Sequence, residues 1–156
     1  MKFEKAIAIG EALIDRLGPL GGDPSCDSPV SDCYGGAPAN VACALSRLGV
    51  DVSFISSLGN DVFGKNFKNL LIQKGINIAG LQQDNLRPTR IVLVRRDSCG
   101  ERSFEGFFGD KGLGFADQAI LLETLIKCWP SVIDNAKWLV AGTIPLASEI
   151  SSNAFL

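Results

Sequence analysis

Apolar positions recur along this chain at helical spacing in some stretches and as short extended runs in others, and glycines separate the two. Val41, Leu45 and Leu48 share one helix face, and Gly49 supplies the stop. The run Val52-Ser53-Phe54-Ile55-Ser56 is short, β-rich and mostly apolar, as a buried parallel strand requires. Asp61 is placed to cap a second helix whose apolar face is Phe63, Phe67 and Leu70, closed by Gly75. Ile76 and Ile78 then open another extended segment. Residues 116–127 read as a helix, Pro130 as the start of a further short helical piece, and residues 138–141 as a buried strand. A last helix is expected from Ala147 into the final residue. At the other end, Met1-Lys2-Phe3-Glu4-Lys5 runs straight into Ala6-Ile7-Ala8-Ile9, a strand pattern rather than a signal peptide. Repeated helix-Gly-strand units predict an α/β fold with right-handed crossovers.

A second texture interrupts this layout. Short strands are expected near 12–17, 31–34, 89–96 and 101–108, the last two as a hairpin around Asp97-Ser98-Cys99-Gly100. They fit poorly into a parallel core and predict a small separate sheet, a lid over a site beside Gly35. Residues 17–29, rich in Gly, Pro, Asp and Ser, read as a loop. There is no internal repeat and no low-complexity tract. The last helix should lead back to another strand, so the expectation is a chain cut inside a larger domain.

The stretch richest in candidate chemistry is Gly35-Gly36-Ala37-Pro38-Ala39-Asn40-Val41-Ala42. A glycine pair lets backbone approach a ligand closely. Pro38 suits a first helical turn, where its missing N–H costs nothing. Asn40 follows, either as a cap-region amide or as a group that meets a polar ligand. Asp15 interrupts the largely apolar run Ala12-Leu13-Ile14-Asp15-Arg16-Leu17. It reads equally as an exposed acid on an edge strand, paired with Arg16, or as a charged acceptor for polyol hydroxyls. Phe104, Phe107 and Phe108 read as packing residues more than ligand-stacking ones, with room for one of them to do both.

Composition narrows the function classes. The chain of 156 residues is 46% hydrophobic and 21% charged, which is globular and enough for one domain. Its net charge of −2 offers no basic excess, arguing against nucleic acid or an anionic membrane as partner. The absence of histidine removes Ser-His-Asp and Cys-His catalysis and histidine-held metals. Five cysteines without a C-x-x-C pair fit neither a disulfide framework nor a zinc site, and predict a reduced, cytoplasmic compartment in which they act as small apolar fillers. Gly59-Asn60-Asp61-Val62-Phe63-Gly64-Lys65-Asn66 nearly matches a nucleotide P-loop. Asn66 stands where magnesium needs a hydroxyl, so a turn before a capped helix is favoured over a small NTPase built on Lys65.

The order Gly-Gly-x-Pro-x-Asn-x-Ala, Gly49 and Gly59 resembles the N-terminal signature of the ribokinase/fructokinase (PfkB-type) carbohydrate kinases. Ala8-Ile9-Gly10-Glu11-Ala12-Leu13-Ile14-Asp15 is similar to the opening strand of fructokinases in particular. Gly59-Asn60-Asp61-Val62-Phe63-Gly64 is similar to the family's G-x-D-x-x-G turn, and Pro88-Thr89 and Gly100-Glu101-Arg102-Ser103-Phe104 resemble its lid hairpin. Ala116-Asp117 and Gly142-Thr143-Ile144 resemble later landmarks.

The resemblance implies a Rossmann-like ribokinase fold with a small β-sheet lid, residues 1–156 forming the N-terminal portion of a single kinase domain. Asp15, Gly35, Gly36 and Asn40 would hold sugar hydroxyls, and Val92 and Phe104 would close over the ring. The reaction implied is ATP-dependent phosphorylation of fructose or a related sugar, with magnesium, and a homodimer through the lid. Family members run to about twice this length, in keeping with a larger single domain. Their G-A-G-D catalytic segment and ATP site have no counterpart here, so no catalytic residue is expected on this chain, nor ATP or magnesium binding by it alone. Fructokinases also place Arg after the aromatic at Phe107-Phe108, where this sequence has Gly109. The rival expectations are a non-enzymatic sugar-binding module and a split kinase completed by a separate C-terminal chain.

Overall fold

The computed structural model describes residues 4–155; residues 1–3 and 156, the outer ends of the first predicted segment and the last helix, lie outside the described residues. The first half runs β1 (Lys5–Ile9), β2 (Leu13–Leu20), β3 (Ser31–Gly35), α1 (Ala37–Arg47), β4 (Val52–Gly59) and α2 (Val62–Gln73). The second runs β5 (Leu81–Asp84), β6 (Ile91–Arg96), β7 (Arg102–Phe108), α3 (Leu122–Ile133), β8 (Ala136–Ala141) and α4 (Glu149–Phe155). Two sheets result. One is wholly parallel in the order β5-β4-β1-β8; the other is mixed, in the order β3-β2-β6-β7.

Alternation along the parallel strands builds a three-layer core. Ala8, Val52, Phe54 and Leu58 face Ala39 and Ala42 of α1 and Phe67 and Leu71 of α2. Ile7, Ile9 and Ile55 face the opposite way, onto Ile120, Leu125 and Val132. The most buried residues of α1 are Pro38, Ala39 and Ala42; of the predicted face, Leu45 packs partly buried against this core, Val41 is half-buried and Leu48 is exposed. Small residues face the sheet there because the helix lies close against β1 and β4. Residues 116–127 also differ from expectation. A 3-10 turn over Ala116–Gln118 precedes α3, and Pro130 sits inside α3 rather than starting a new piece. The fully buried Val132 anchors the turn beyond that proline.

β8 is a correction of another kind. Trp138 and Leu139 are each 65% exposed, because among the described residues β8 is an edge strand paired only with β1. An apolar run identifies a strand, but its neighbours decide whether it is covered. β2 likewise continues to Leu20, three residues into the predicted loop, since it pairs with β6 as far as Leu20↔Arg96.

The α2 N-terminus shows why the chain needs Asp61. Its Oδ1 accepts the Gly64 N–H at 2.8 Å and the Thr89 hydroxyl at 3.0 Å, while Oδ2 accepts the Thr89 N–H at 2.7 Å. Thr89 Oγ1 in turn accepts the Gly59 N–H at 3.1 Å. One carboxylate thus caps a helix and ties the end of β4 to the residues entering β6. The Gly59 and Gly64 amides that a P-loop would aim at phosphate are already engaged. Asp61→Ala should cost about 3 kcal/mol, a lost cap plus amides left without an acceptor. Urea unfolding checks this, with Asp61→Asn recovering part of the loss.

Candidate functional site

Both sheets contribute to one cleft. β4 and β5 lie on one side of β1 and β8 on the other, so the crevice at the C-terminal ends of β1 and β8 is where strand order reverses. Open parallel sheets bind ligands at such a point. The mixed sheet stands over it. One face of that sheet carries Leu13, Leu17, Val92 and Val94 against Ile144, and the other sends Ile14 and Ile91 into the main core. The register Cys33–Asp15–Val92–Phe107 runs straight across its four strands. The cleft between the layers measures about 560 Å³.

The structure brings Asp15, Gly36, Asn40, Val92 and Phe104 to the walls of this cleft. Gly35 is not in the lining. It lies directly beneath the Asp15 carboxylate, where any Cβ would collide with Asp15 Oδ2. Gly36 is the N-cap of α1 at φ +100°, and a Cβ there would also press on the Glu11 carbonyl. Only glycine meets both demands. With Gly36, Ala37 and Asn40 on the wall, the positive N-terminal end of α1 opens on the cleft. Phe104 is 77% exposed and caps the outer rim.

Asp15 is neither on an edge strand nor paired with Arg16. β2 is interior, and Arg16 points to the opposite face, where it grips Asp32 through two bonds of 2.8 and 2.7 Å and lies over the rings of Phe63 and Phe108. No protein donor among the described residues hydrogen-bonds the Asp15 carboxylate. Burial pushes its pKa above the ordinary carboxylate value, and the Arg102 charge partly opposes the rise. Asp15 is thus a half-buried acceptor without a protein donor, facing the cleft.

Phe107 combines lining with packing. It meets Phe115 edge-on at 5.6 Å, and both rings cover the Arg90 guanidinium at 4.7 and 4.6 Å. Arg90 makes a bidentate pair with Asp117 at 2.7 and 2.8 Å, the two side chains only 5% and 1% exposed. This pair fastens the start of β6 to the turn after β7. Sequence reasoning missed it, since Arg90 and Asp117 lie 27 residues apart. It missed Glu11 too, which lines the cleft beside Asp15 and is 5% exposed. The signal was an acid directly after β1, read only as part of a strand. Of the cysteines, Cys26, Cys33 and Cys99 are exposed and therefore not fillers; all five are free thiols.

A parallel sheet with helices on both faces, a second sheet standing over the crevice at its strand ends, and a largely apolar cleft between them that carries Glu11, Asp15 and Asn40 define a ribokinase-type fold. The family model for pfkB family carbohydrate kinases matches residues 4–122. The chain belongs to that family. It is 36% identical over 148 residues to a fructokinase of Escherichia coli, covering 94% of this chain and 43% of that protein. It is 39% identical over 151 residues to probable fructokinase-4 of Arabidopsis thaliana, covering 96% and 44%. An uncharacterised sugar kinase of Pyrococcus horikoshii superposes with a TM-score of 0.80 at 32% identity, covering 97% of this chain and 47% of that one. The chain thus spans less than half the length of these relatives.

Proposed function

We propose that this chain carries the sugar-binding part of a fructokinase-like, ATP-dependent sugar kinase, acting on fructose or a related sugar in the cytoplasm. The observation that carries the reading is the Asp15 carboxylate, free of protein donors in a cleft walled by Gly36 and Asn40. A carboxylate takes two hydroxyl donors, and the α1 N-terminus and the Asn40 amide return donors to sugar oxygens. Val92 packs against the ring, and Phe104 closes the rim as part of the mixed sheet acting as a lid.

The relatives named fructokinases make fructose the first sugar to test. ATP enters by family membership, and a structure of the Pyrococcus kinase is in complex with ATP. Among the described residues no three His, Cys, Asp or Glu side chains converge on one point. The chemistry of this chain is to bind, orient and enclose the sugar. Transfer itself falls to groups beyond these residues, so the 156-residue chain alone is expected to be inactive.

Thermal unfolding with millimolar fructose or with ATP tests the reading. A melt raised by fructose and unmoved by ATP is the expected result, since a ligand held only by the folded state adds RT ln(1 + [L]/Kd) to stability. A melt that fructose leaves in place would sink the sugar-site reading for this chain.

A further inference from the structure

Glu11 is the second acid of the cleft, and nothing in the fold uses it. Its side chain follows β1 directly, at the crevice where strand order reverses. Oε2 is fully enclosed and has no hydrogen-bond partner among the described residues. It packs against Gly142 at the end of β8, where a Cβ would collide both with this oxygen and with the Pro38 ring. The sequence therefore leaves Gly142 bare at the one place where Glu11 needs room. Leaving a buried acceptor unsatisfied is costly, and native folds rarely do so without cause. The same residue lines the cleft that holds Asp15.

We propose that Glu11 is a substrate-binding residue, a second carboxylate whose other oxygen, Oε1, accepts a hydrogen bond from a hydroxyl of the bound sugar on the side of the ring facing the β1–β8 crevice. The inference rests on the sugar reading of the cleft and sharpens it. Two acids on separate strands, Glu11 after β1 and Asp15 within β2, select a polyol whose hydroxyls project toward both. A sugar missing the hydroxyl that meets Glu11 would leave this carboxylate without any donor and be rejected, as sites built to bond a hydroxyl reject analogues lacking it.

Calorimetric titration of the 156-residue chain with fructose and with singly deoxygenated fructoses tests this, using wild type, Glu11→Gln and Gly142→Ala. Glutamine keeps the shape while removing the charge. The alanine keeps the charge and displaces the carboxylate. Both variants should bind fructose about 10- to 100-fold more weakly, the range for one hydrogen bond to a charged acceptor. One deoxyfructose should bind wild type weakly by the same factor and bind Glu11→Gln no worse than fructose does. Equal fructose affinity in wild type and Glu11→Gln would overturn the role of Glu11 and leave the sugar site standing. So would a Glu11→Gln loss shared equally by every deoxyfructose. Should Glu11→Gln fail to give a cooperative melt, Gly142→Ala decides: unchanged fructose affinity there overturns the proposal. Wild type that binds no fructose overturns the sugar reading, and this inference with it.

Discussion

Asp15→Asn should weaken fructose binding by about 100-fold or more while raising the melting temperature of the free chain. Both effects have one cause. In the folded chain the carboxylate is half-buried, without a protein donor, and its pKa is raised because burial penalises the charge more than Arg102 relieves it. Asparagine removes that penalty, so the unliganded fold gains. It also removes a charged acceptor for two hydroxyl donors, each worth about 1.5–3 kcal/mol, so the complex loses more than the fold gains. Calorimetry reads the affinity and a thermal scan the stability. A variant that melts lower than wild type would make Asp15 a structural acid instead.

The sign of the pH dependence follows. Between the ordinary value of 3.8 and its raised value, the folded Asp15 holds more proton than the unfolded one. Its contribution to stability is therefore greatest below 3.8 and falls as pH rises through the raised value. Fructose binding runs the other way. Hydroxyl donors favour the charged carboxylate, so affinity should drop as the solution is acidified through that raised value, with proton release on binding. Asp15→Asn should flatten this Asp15 component of both profiles.

Much of this was legible because it is local. The Gly35-Gly36 turn, the Asp61 cap and the β6–β7 hairpin each depend on residues a few positions apart, and pattern reading finds such features. The mixed sheet was legible for a different reason: short polar-flanked strands such as Ser31–Gly35 suit a parallel core badly. What escaped was set by distant partners. Trp138 and Leu139 resemble core residues until β8 is seen to be an edge strand among the described residues. Val41 and Leu48 outrank Ala39 and Ala42 in hydrophobicity, yet close approach of α1 to the sheet favours alanine. Glu11 gains meaning only when Gly142, 131 positions later, is found beside it. Asp15 was ambiguous for the same reason, since its pairing with Arg16 could be dismissed only once the two were seen on opposite faces.

The largest loss of stability is expected from Asp117→Asn. Arg90 and Asp117 are nearly inaccessible and satisfy each other through two short bonds, so removing one charge strands the other in a desolvated site. Such a break costs about 3–5 kcal/mol, which for a chain of this size lowers the melting temperature by on the order of 10 °C. Replacing both residues at once, as Arg90→Met with Asp117→Leu, should recover most of that loss, because well-packed apolar pairs often match a buried ion pair. Function should not recover with it. The Arg90 guanidinium lies against Phe107, which lines the cleft, and against Phe115, which meets Phe107 edge-on beside it. A methionine thioether does not reproduce the flat cation that both rings cover. The double variant should therefore melt close to wild type yet bind fructose several-fold more weakly. Equal affinity would reduce the pair to a fastener of β6 with no influence on the cleft. A double variant as unstable as Asp117→Asn would show that the site demands the ion pair itself.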